Sequence, residues 1–340
     1  MMKRHGSMNT PFNALIRAYF NHGEYNITDV PFGQTNTTKI MEIHGQKYIL
    51  RIYNKYTKSI DGIELESEVT TALDKHVDLF EVPVFRRTLT NEKYIELEEG
   101  SLGAVTTFLQ GDVPQLINVE QAREFGRLVG GFSGRVREFS VDNHIYRGTS
   151  FTKMYDIHPL ATSQSIRSFL ENPPFPISRK LLTFYRDMIE AIEGSGQTLE
   201  ELPHQFVHHD LLIYNLLAQN NKVTGVLDFD FVSWDVAFME CTISLNHLIH
   251  ESEGSFEMIE SFLTGYSSER KHSSQEIEHL MLLTQIYYMS VLHFYIGQHY
   301  AGITVEHNFI FILQQYERNI QWLHQNEYQL QTLLYEHLVN

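Results

Sequence analysis

Phe206-Val207-His208-His209-Asp210-Leu211-Leu212-Ile213-Tyr214-Asn215-Leu216-Leu217 decides how the chain is read, together with Asp228-Phe229-Asp230 further on. Apolar Phe206-Val207 leads into a polar loop, and Leu216-Leu217-Ala218 leads out of it as a short buried strand. Gln219-Asn220-Asn221-Lys222 reads as a turn and Val223-Thr224-Gly225-Val226-Leu227 as the returning strand. A hairpin of this length brings Asp228 back beside Asn215. Three oxygen-bearing groups, Asp210, Asn215 and Asp228, are thereby expected at the rim of one small sheet.

Such a set suits phosphoryl transfer. Hard Mg²⁺ prefers carboxylate and amide oxygens and retains several waters, so one or two protein ligands plus nucleotide phosphates suffice. Asn215 and Asp228 fit that role, while Asp210 is placed to orient a substrate hydroxyl and accept its proton. The plainer alternative is that Asp210 and Asn215 cap turns and that Asp228-Phe229-Asp230 ends a strand. Order, spacing and strand context favour the chemical reading, because His-x-Asp-x-x-x-x-Asn resembles the catalytic loop of protein kinases.

Composition narrows the partners. With 26 basic against 42 acidic side chains the formal net charge is −16, a surface that repels phosphate backbones, so no nucleic-acid partner is expected. Cys241 is the one cysteine, which excludes an intrachain disulfide and fits a reducing compartment. No apolar run reads as long enough to span a bilayer, and the polar Met1-to-Thr10 start lacks a signal peptide's apolar core. The expectation is a cytoplasmic protein with no membrane partner.

The first third reads as β-rich. Ile27–Phe32 and Lys39–Ile43 flank Gly33-Gln34-Thr35-Asn36, a strand-turn-strand unit with Gly33 where a phosphate-covering loop belongs; an ordinary hairpin is the alternative. His44-Gly45-Gln46 makes the next turn, and Lys47–Tyr53 the third strand. Arg51 on that strand stands where a lysine for the nucleotide's phosphates is expected, and its guanidinium can grip phosphate in a fork; an edge-strand arginine in solvent is the bland alternative. From Ile60 to His76, Leu65, Val69, Ala72 and Leu73 form a helical stripe. At about 100° per residue, Glu66 lies roughly 60° from Val69, Glu68 about 100° and Glu64 about 140°. Glu66 is therefore the carboxylate expected to face inward and need a cation, with Arg51 as its partner. Val82–Phe85 and Tyr94–Leu97 are expected to continue the sheet. The run Ala104–Leu109 ends at Gln110-Gly111, where backbone groups could read an adenine edge, so a nucleotide-binding lobe at 1–109 and a catalytic, substrate-binding lobe at 110–340 are expected.

The remainder reads as mainly helical: Val119–Arg137, Ile177–Ile192, a helix starting at Trp234–Phe238, Glu276–Tyr300 and Asn308–Leu338. Residues 138–176 are irregular, either part of a substrate cleft or a connection. Asp235 either braces the catalytic loop or caps a helix. Tyr287, Tyr288, His293, Phe294, Tyr295 and His299 invite an aromatic cage for an amine, but at helical spacing a packed core is favoured. His204, His208, His209 and Asp210 could be drawn around zinc, against which Pro203 and the strand-like Phe206-Val207 argue.

The motif His208–Asn215 with Asp228-Phe229-Asp230 resembles the aminoglycoside phosphotransferase/choline kinase family, which includes type II homoserine kinases and methylthioribose kinases. Tyr48-Ile49-Leu50-Arg51-Ile52-Tyr53 looks like that family's third strand, with arginine in the lysine position as in choline kinases, and Thr107-Phe108-Leu109-Gln110-Gly111 resembles its hinge. The resemblance implies an α+β, protein-kinase-like bilobal fold, with a β-rich N-lobe and a mainly helical C-lobe. It implies Asp210 as catalytic base with His208 supporting the loop, Asn215 and Asp228 on Mg²⁺, and ATP bound by Gly33, Arg51, Glu66, Thr107 and Leu109. His209 stands where many members carry glycine, a position the resemblance marks as permissive. The acceptor it implies is a hydroxyl on a small, amine-bearing metabolite. Some relatives are spore-coat proteins, so a non-catalytic binding or structural role is the alternative.

Overall fold

Alternating burial along Thr37–Ile43 and the two left-handed residues His44 (φ 52°) and Gly45 (φ 75°) produce a two-residue hairpin, the turn whose twist matches its strands. This hairpin is the centre of the first of two units, residues 1–110 and 111–340, into which the chain divides. The computed structural model describes residues 11–21, 23–30, 35–76, 79–139, 146–195, 199–220 and 222–339. Gly33 lies outside the described residues.

In the first unit, α1 (Pro11–Tyr19) precedes β1 (Tyr25–Asp29), β2 (Thr37–Ile43) and β3 (Gln46–Ile52). Then come α2 (Ile60–Leu73), β4 (Ile95–Glu96) and β5 (Leu102–Thr107). The sheet is antiparallel throughout, in the order β1-β2-β3-β5-β4. Its two faces bury different sets. Leu50 and Val105 pack with Leu15, Ile16 and Tyr19 of α1, whereas Ala104 and Leu102 pack with Ile63 of α2 and Tyr53. Arg51 sits opposite Ala104 in the β3–β5 register, and side chains alternate along a strand, so it belongs to the α2 face. Val82–Phe85 does not form the expected strand. Pro83 has no N–H to give, and only Phe85 bridges to Thr106, while Val84 N–H is taken by Thr107 Oγ1 at 3.0 Å.

The second unit runs α3 (Val119–Val136), α4 (Ser163–Glu171), α5 (Arg179–Gly194), β6 (His204–Val207), β7 (Leu216–Gln219), β8 (Lys222–Val226) and β9 (Ser233–Val236). It continues with α6 (Met239–Glu251), α7 (Phe256–Ser267), α8 (Ser274–Glu278), α9 (Leu280–Tyr300), α10 (Glu306–Gln325) and α11 (Glu327–Leu338). Helices α3 and α7 touch backbone to backbone: a Cβ at Gly126 would lie 2.0 Å from the Phe262 carbonyl oxygen, and one at Gly130 would lie 2.5 Å from that of Tyr266.

Three expectations are corrected here. Trp234–Val236 starts no helix but forms β9, paired antiparallel with β6, because Trp234 packs edge-on against Phe206 across the ladder. The helix begins only at Met239. The two long C-terminal helices are each broken: a Ser273–Glu276 capping box starts α8 early, and Asn326 separates α10 from α11. Finally, α9 is long and apolar enough to cross a bilayer by length and composition, which the sequence reading did not expect. Of its most apolar stretch, 72% is buried inside the protein, as in a core helix.

Candidate active site

Two short antiparallel pairs hold the polar loop from both ends. β6 delivers the chain to His208, and β7–β8 returns it so that Leu227 N–H donates to the Asn215 carbonyl at 2.8 Å, which brings Asp228 beside the loop. His208 is fully buried and makes the corner: Asp210 N–H donates to its Nδ1 at 3.2 Å, and its Nε2–H donates to the Leu227 carbonyl at 3.0 Å. Those bonds require the neutral ring, in keeping with burial, which lowers its pKa to about 3.

Asn215 Nδ2 donates both to the Asp210 carbonyl, at 2.8 Å, and to Asp210 Oδ2, at 2.7 Å. With both amide hydrogens spent, Asn215 turns only Oδ1 outward as a potential ligand. Burial and then the Asp228 carboxylate push the Asp210 carboxyl well above the usual range, and the Asn215 hydrogen bond opposes them. Asp228 itself has φ 64°, a left-handed conformation that costs a side-chain-bearing residue and that clusters at functional sites.

His209 shares that conformation, φ 64°, which explains why glycine suits the position. Here the position is not permissive. The ring is buried, stacks on Phe151 at 4.2 Å, and donates Nε2–H to Asp235 Oδ2 at 3.0 Å. The same oxygen accepts from Ser150 Oγ at 2.8 Å and Phe151 N–H at 2.7 Å, and Val236 N–H donates to Oδ1 at 2.7 Å. Burial works to raise the Asp235 pKa, but His209 and the other donors hold it below its ordinary value. Of the two readings of Asp235, bracing is the one its contacts show. The 146–162 segment is likewise fastened to the loop, and to α9 through Ser290 Oγ and His293 Nδ1–H, which donate to the carbonyls of Phe151 and Met154.

Glu240 went unremarked in the sequence. In the first turn of α6 and fully buried, it accepts the His208 backbone N–H at 2.7 Å, and burial raises its pKa to about 8. Its place between Met239 and Cys241 at the start of α6 was the available signal.

In the first unit Glu66 is buried, as its helical phase requires, while Glu64 is half-buried on Lys93 and Glu68 is exposed. Arg51 Nη1 lies 3.7 Å from Glu66 Oε1, but Lys58 Nζ is closer, 2.5 Å from Oε2, and Tyr53 OH donates to Oε1 at 3.2 Å. Lys58 was overlooked because it precedes the helix and belongs to no periodic pattern. Thr107 is the exposed last residue of β5, its hydroxyl used on Val84, and half-buried Leu109 follows it.

Among the described residues no three or more His, Cys, Asp or Glu are grouped to hold a metal ion. The zinc drawing accordingly finds no support: His208 and His209 are spent on the loop, and His204 Nδ1 meets the Leu202 carbonyl. One amide oxygen and one carboxylate do fit a hard cation that takes its remaining ligands from phosphate and water.

The model of the phosphotransferase enzyme family (APH) matches residues 26–274, which is most of the chain. The chain belongs to this family. A homoserine kinase of Bradyrhizobium diazoefficiens is 25% identical over 255 residues, 74% of this chain and 73% of that protein. Of several other homoserine kinases the chain spans only 26% to 55% of the length. Among solved structures, a microcompartment-associated aminopropanol kinase has TM-score 0.69 at 16% identity, covering 94% of this chain and 97% of its own. An amicoumacin kinase, in complex with AMP-PNP, Ca²⁺ and amicoumacin, has TM-score 0.67 at 14% identity, covering 91% and 92%. The phosphotransferase family and the kinase-like fold expected from the motif are thus both found.

Proposed function

We propose that the protein transfers the γ-phosphoryl group of ATP to a hydroxyl of a small, amine-bearing metabolite, in the cytoplasm and with Mg²⁺. The observation that carries this reading is the double hydrogen bond from Asn215 to Asp210, tied through Leu227 to Asp228. It fixes the Asp210 carboxylate beside the loop end that carries Asp228, which supports reading Asp210 as the base and the Asn215 and Asp228 oxygens as cation ligands.

The acceptor oxygen bonds to the γ-phosphorus as the bridging bond to ADP breaks, and the hydroxyl proton passes to Asp210. Asn215 and Asp228 would hold Mg²⁺, which would supply charge neutralisation on the phosphates and would offset the Asp228 charge that opposes ionisation of Asp210. Arg51, kept near Glu66, supplies a fixed cation for the nucleotide phosphates. His208 holds the loop and carries no proton in the reaction.

Incubating the protein with MgATP and a pooled panel of hydroxyl metabolites tests this, with nucleotide binding followed by calorimetry. Phosphorylated acceptor and ADP are expected. No acceptor phosphorylation together with no saturable, Mg²⁺-dependent nucleotide binding overturns the proposal.

A further inference from the structure

Beside the loop of the second unit lies a pocket of about 360 Å³ whose wall includes Leu212 and Tyr214 of the loop, His247 and Glu251 of α6, Tyr287 of α9 and Phe311 of α10. Its size suits a small ligand. Tyr214 is 59% exposed and covers one side, its hydroxyl donating to Glu251 Oε1 at 2.9 Å and its ring standing edge-on to His247 at 5.3 Å.

Three features of the wall point to a ligand and to its charge. His247 is 5% exposed, yet its Nε2 has no hydrogen-bond partner among the described residues. A buried polar atom left so is costly unless a ligand satisfies it. Burial lowers the pKa of that ring to about 3, so it brings no positive charge. Next, the described lining holds one carboxylate, Glu251, and neither lysine nor arginine. Arg318, farther along α10, is exposed and outside the lining, although Tyr288 and His250 feel its charge. Finally, the lining includes the aromatic rings of Tyr214, Tyr287 and Phe311, groups that favour a cation. Tyr287 also ties the pocket to the chemistry: after burial, the Asp210 charge is the next cause that raises its hydroxyl pKa.

We propose that this pocket is the acceptor site and that it selects a small cationic amino alcohol, rejecting the corresponding amino acid. The proposal rests on the phosphotransfer reading above and narrows it. An ammonium group sits among Glu251 and the aromatic rings, and His247 Nε2 anchors a polar group of the same ligand. An added carboxylate would enter a wall that offers it no lysine or arginine, near Glu251 and Asp210, and would lose its hydration without replacement.

The decisive probes are 3-aminopropan-1-ol and L-homoserine, which differ by one carboxylate. Both are titrated calorimetrically and assayed for phosphorylation with MgATP. The amino alcohol is expected to bind at least tenfold more tightly than homoserine and to be the better substrate by a larger factor. Glu251→Gln should weaken amino-alcohol binding at least tenfold, with a thermal melt confirming that the variant folds; unchanged binding in the folded variant overturns the proposal. Equal or tighter binding of homoserine overturns the proposal, and so does binding of neither probe. MgATP titration of the same samples separates the two readings: intact nucleotide binding in either failing case sinks the pocket assignment alone.

Discussion

Glu66 in the first unit and Asp235 in the second are both buried carboxylates that organise their surroundings, but their partners differ in kind. Glu66 meets the permanent cations of Arg51 and Lys58 together with the Tyr53 hydroxyl, and Arg51 retains 17% of its side-chain exposure. Asp235 meets the His209 ring, the Ser150 hydroxyl and the backbone amides of Phe151 and Val236, with no side-chain exposure on either member of its histidine pair. Long cationic side chains can reach a carboxylate from several directions, so the first arrangement has a spare. Backbone amides come from one direction only, so the four donors of the second arrangement fix its carboxylate in a single geometry. The part of the chain that must hold Asp210 in register is therefore the part built on directional neutral donors rather than on reaching cations.

Changing the reacting carboxylate and the bracing one should separate rate from stability. Asp210→Asn is expected to lower the transfer rate by about 10²–10⁴-fold while leaving the melting temperature and MgATP affinity nearly unchanged. An Asp210→Asn protein of near-normal rate would contradict the assignment. Asp235→Ala is expected to cost about 3–5 kcal/mol in urea unfolding, because it strands buried donors and the His209 ring. His209→Gly should cost less, about 1–2 kcal/mol: it relieves the left-handed strain and leaves Asp235 three donors. If His209→Gly proves the more damaging of the two, the ring rather than the carboxylate is the keystone.

What could be read in advance follows the same division. Asp210, Asn215 and Asp228 were legible because a strand-loop-hairpin fixes their spacing within a short stretch of chain. Glu66 was legible because helical phase is local arithmetic. The contacts that brace the site were not, since Ser150, Phe151, His209 and Asp235 meet across long sequence separations with no period to announce them. Trp234–Val236 was misread as helix for a related reason: its strand character comes from pairing with His204–Val207, a tertiary partner that outweighs local pattern. His209 looked exchangeable because the left-handed backbone was visible in the glycine habit of the position, but the Asp235 contact was not.

The redundancy around Glu66 is open to a double-mutant cycle. Lys58→Met and Arg51→Met are each expected to cost about 1–2 kcal/mol, and the double variant more than their sum, with a coupling of about 0.5–3 kcal/mol. Only the Arg51 change should weaken MgATP binding beyond its effect on stability. Additive losses would mean that the two cations do not share one carboxylate, and the contrast with Asp235 would fall.

The smallest expected effect comes from a second histidine–carboxylate pair, which tests whether the tightness at Asp235 belongs to the pair or to its setting. Glu276 opens α8, accepting from His272 Nδ1–H at 2.8 Å, from Ser273 N–H at 2.8 Å and from Ser273 Oγ at 2.9 Å. Burial works to raise its pKa, but these donors outweigh it and hold it at about 2, against an ordinary 4.5. A carboxylate depressed on folding contributes stability above its unfolded pKa and loses it as pH falls through the folded value. The melting temperature of Glu276→Gln should therefore lie below the wild type by about a few degrees at neutral pH. That gap should begin to close below pH 4.5 and be nearly gone at about pH 2, vanishing below it as wild-type Glu276 becomes protonated and resembles the amide. A gap that stays constant down to pH 2 would show that the negative charge of Glu276 contributes nothing. The tight bracing seen at Asp235 would then be a property of the loop it holds, not of histidine–carboxylate pairs in this fold.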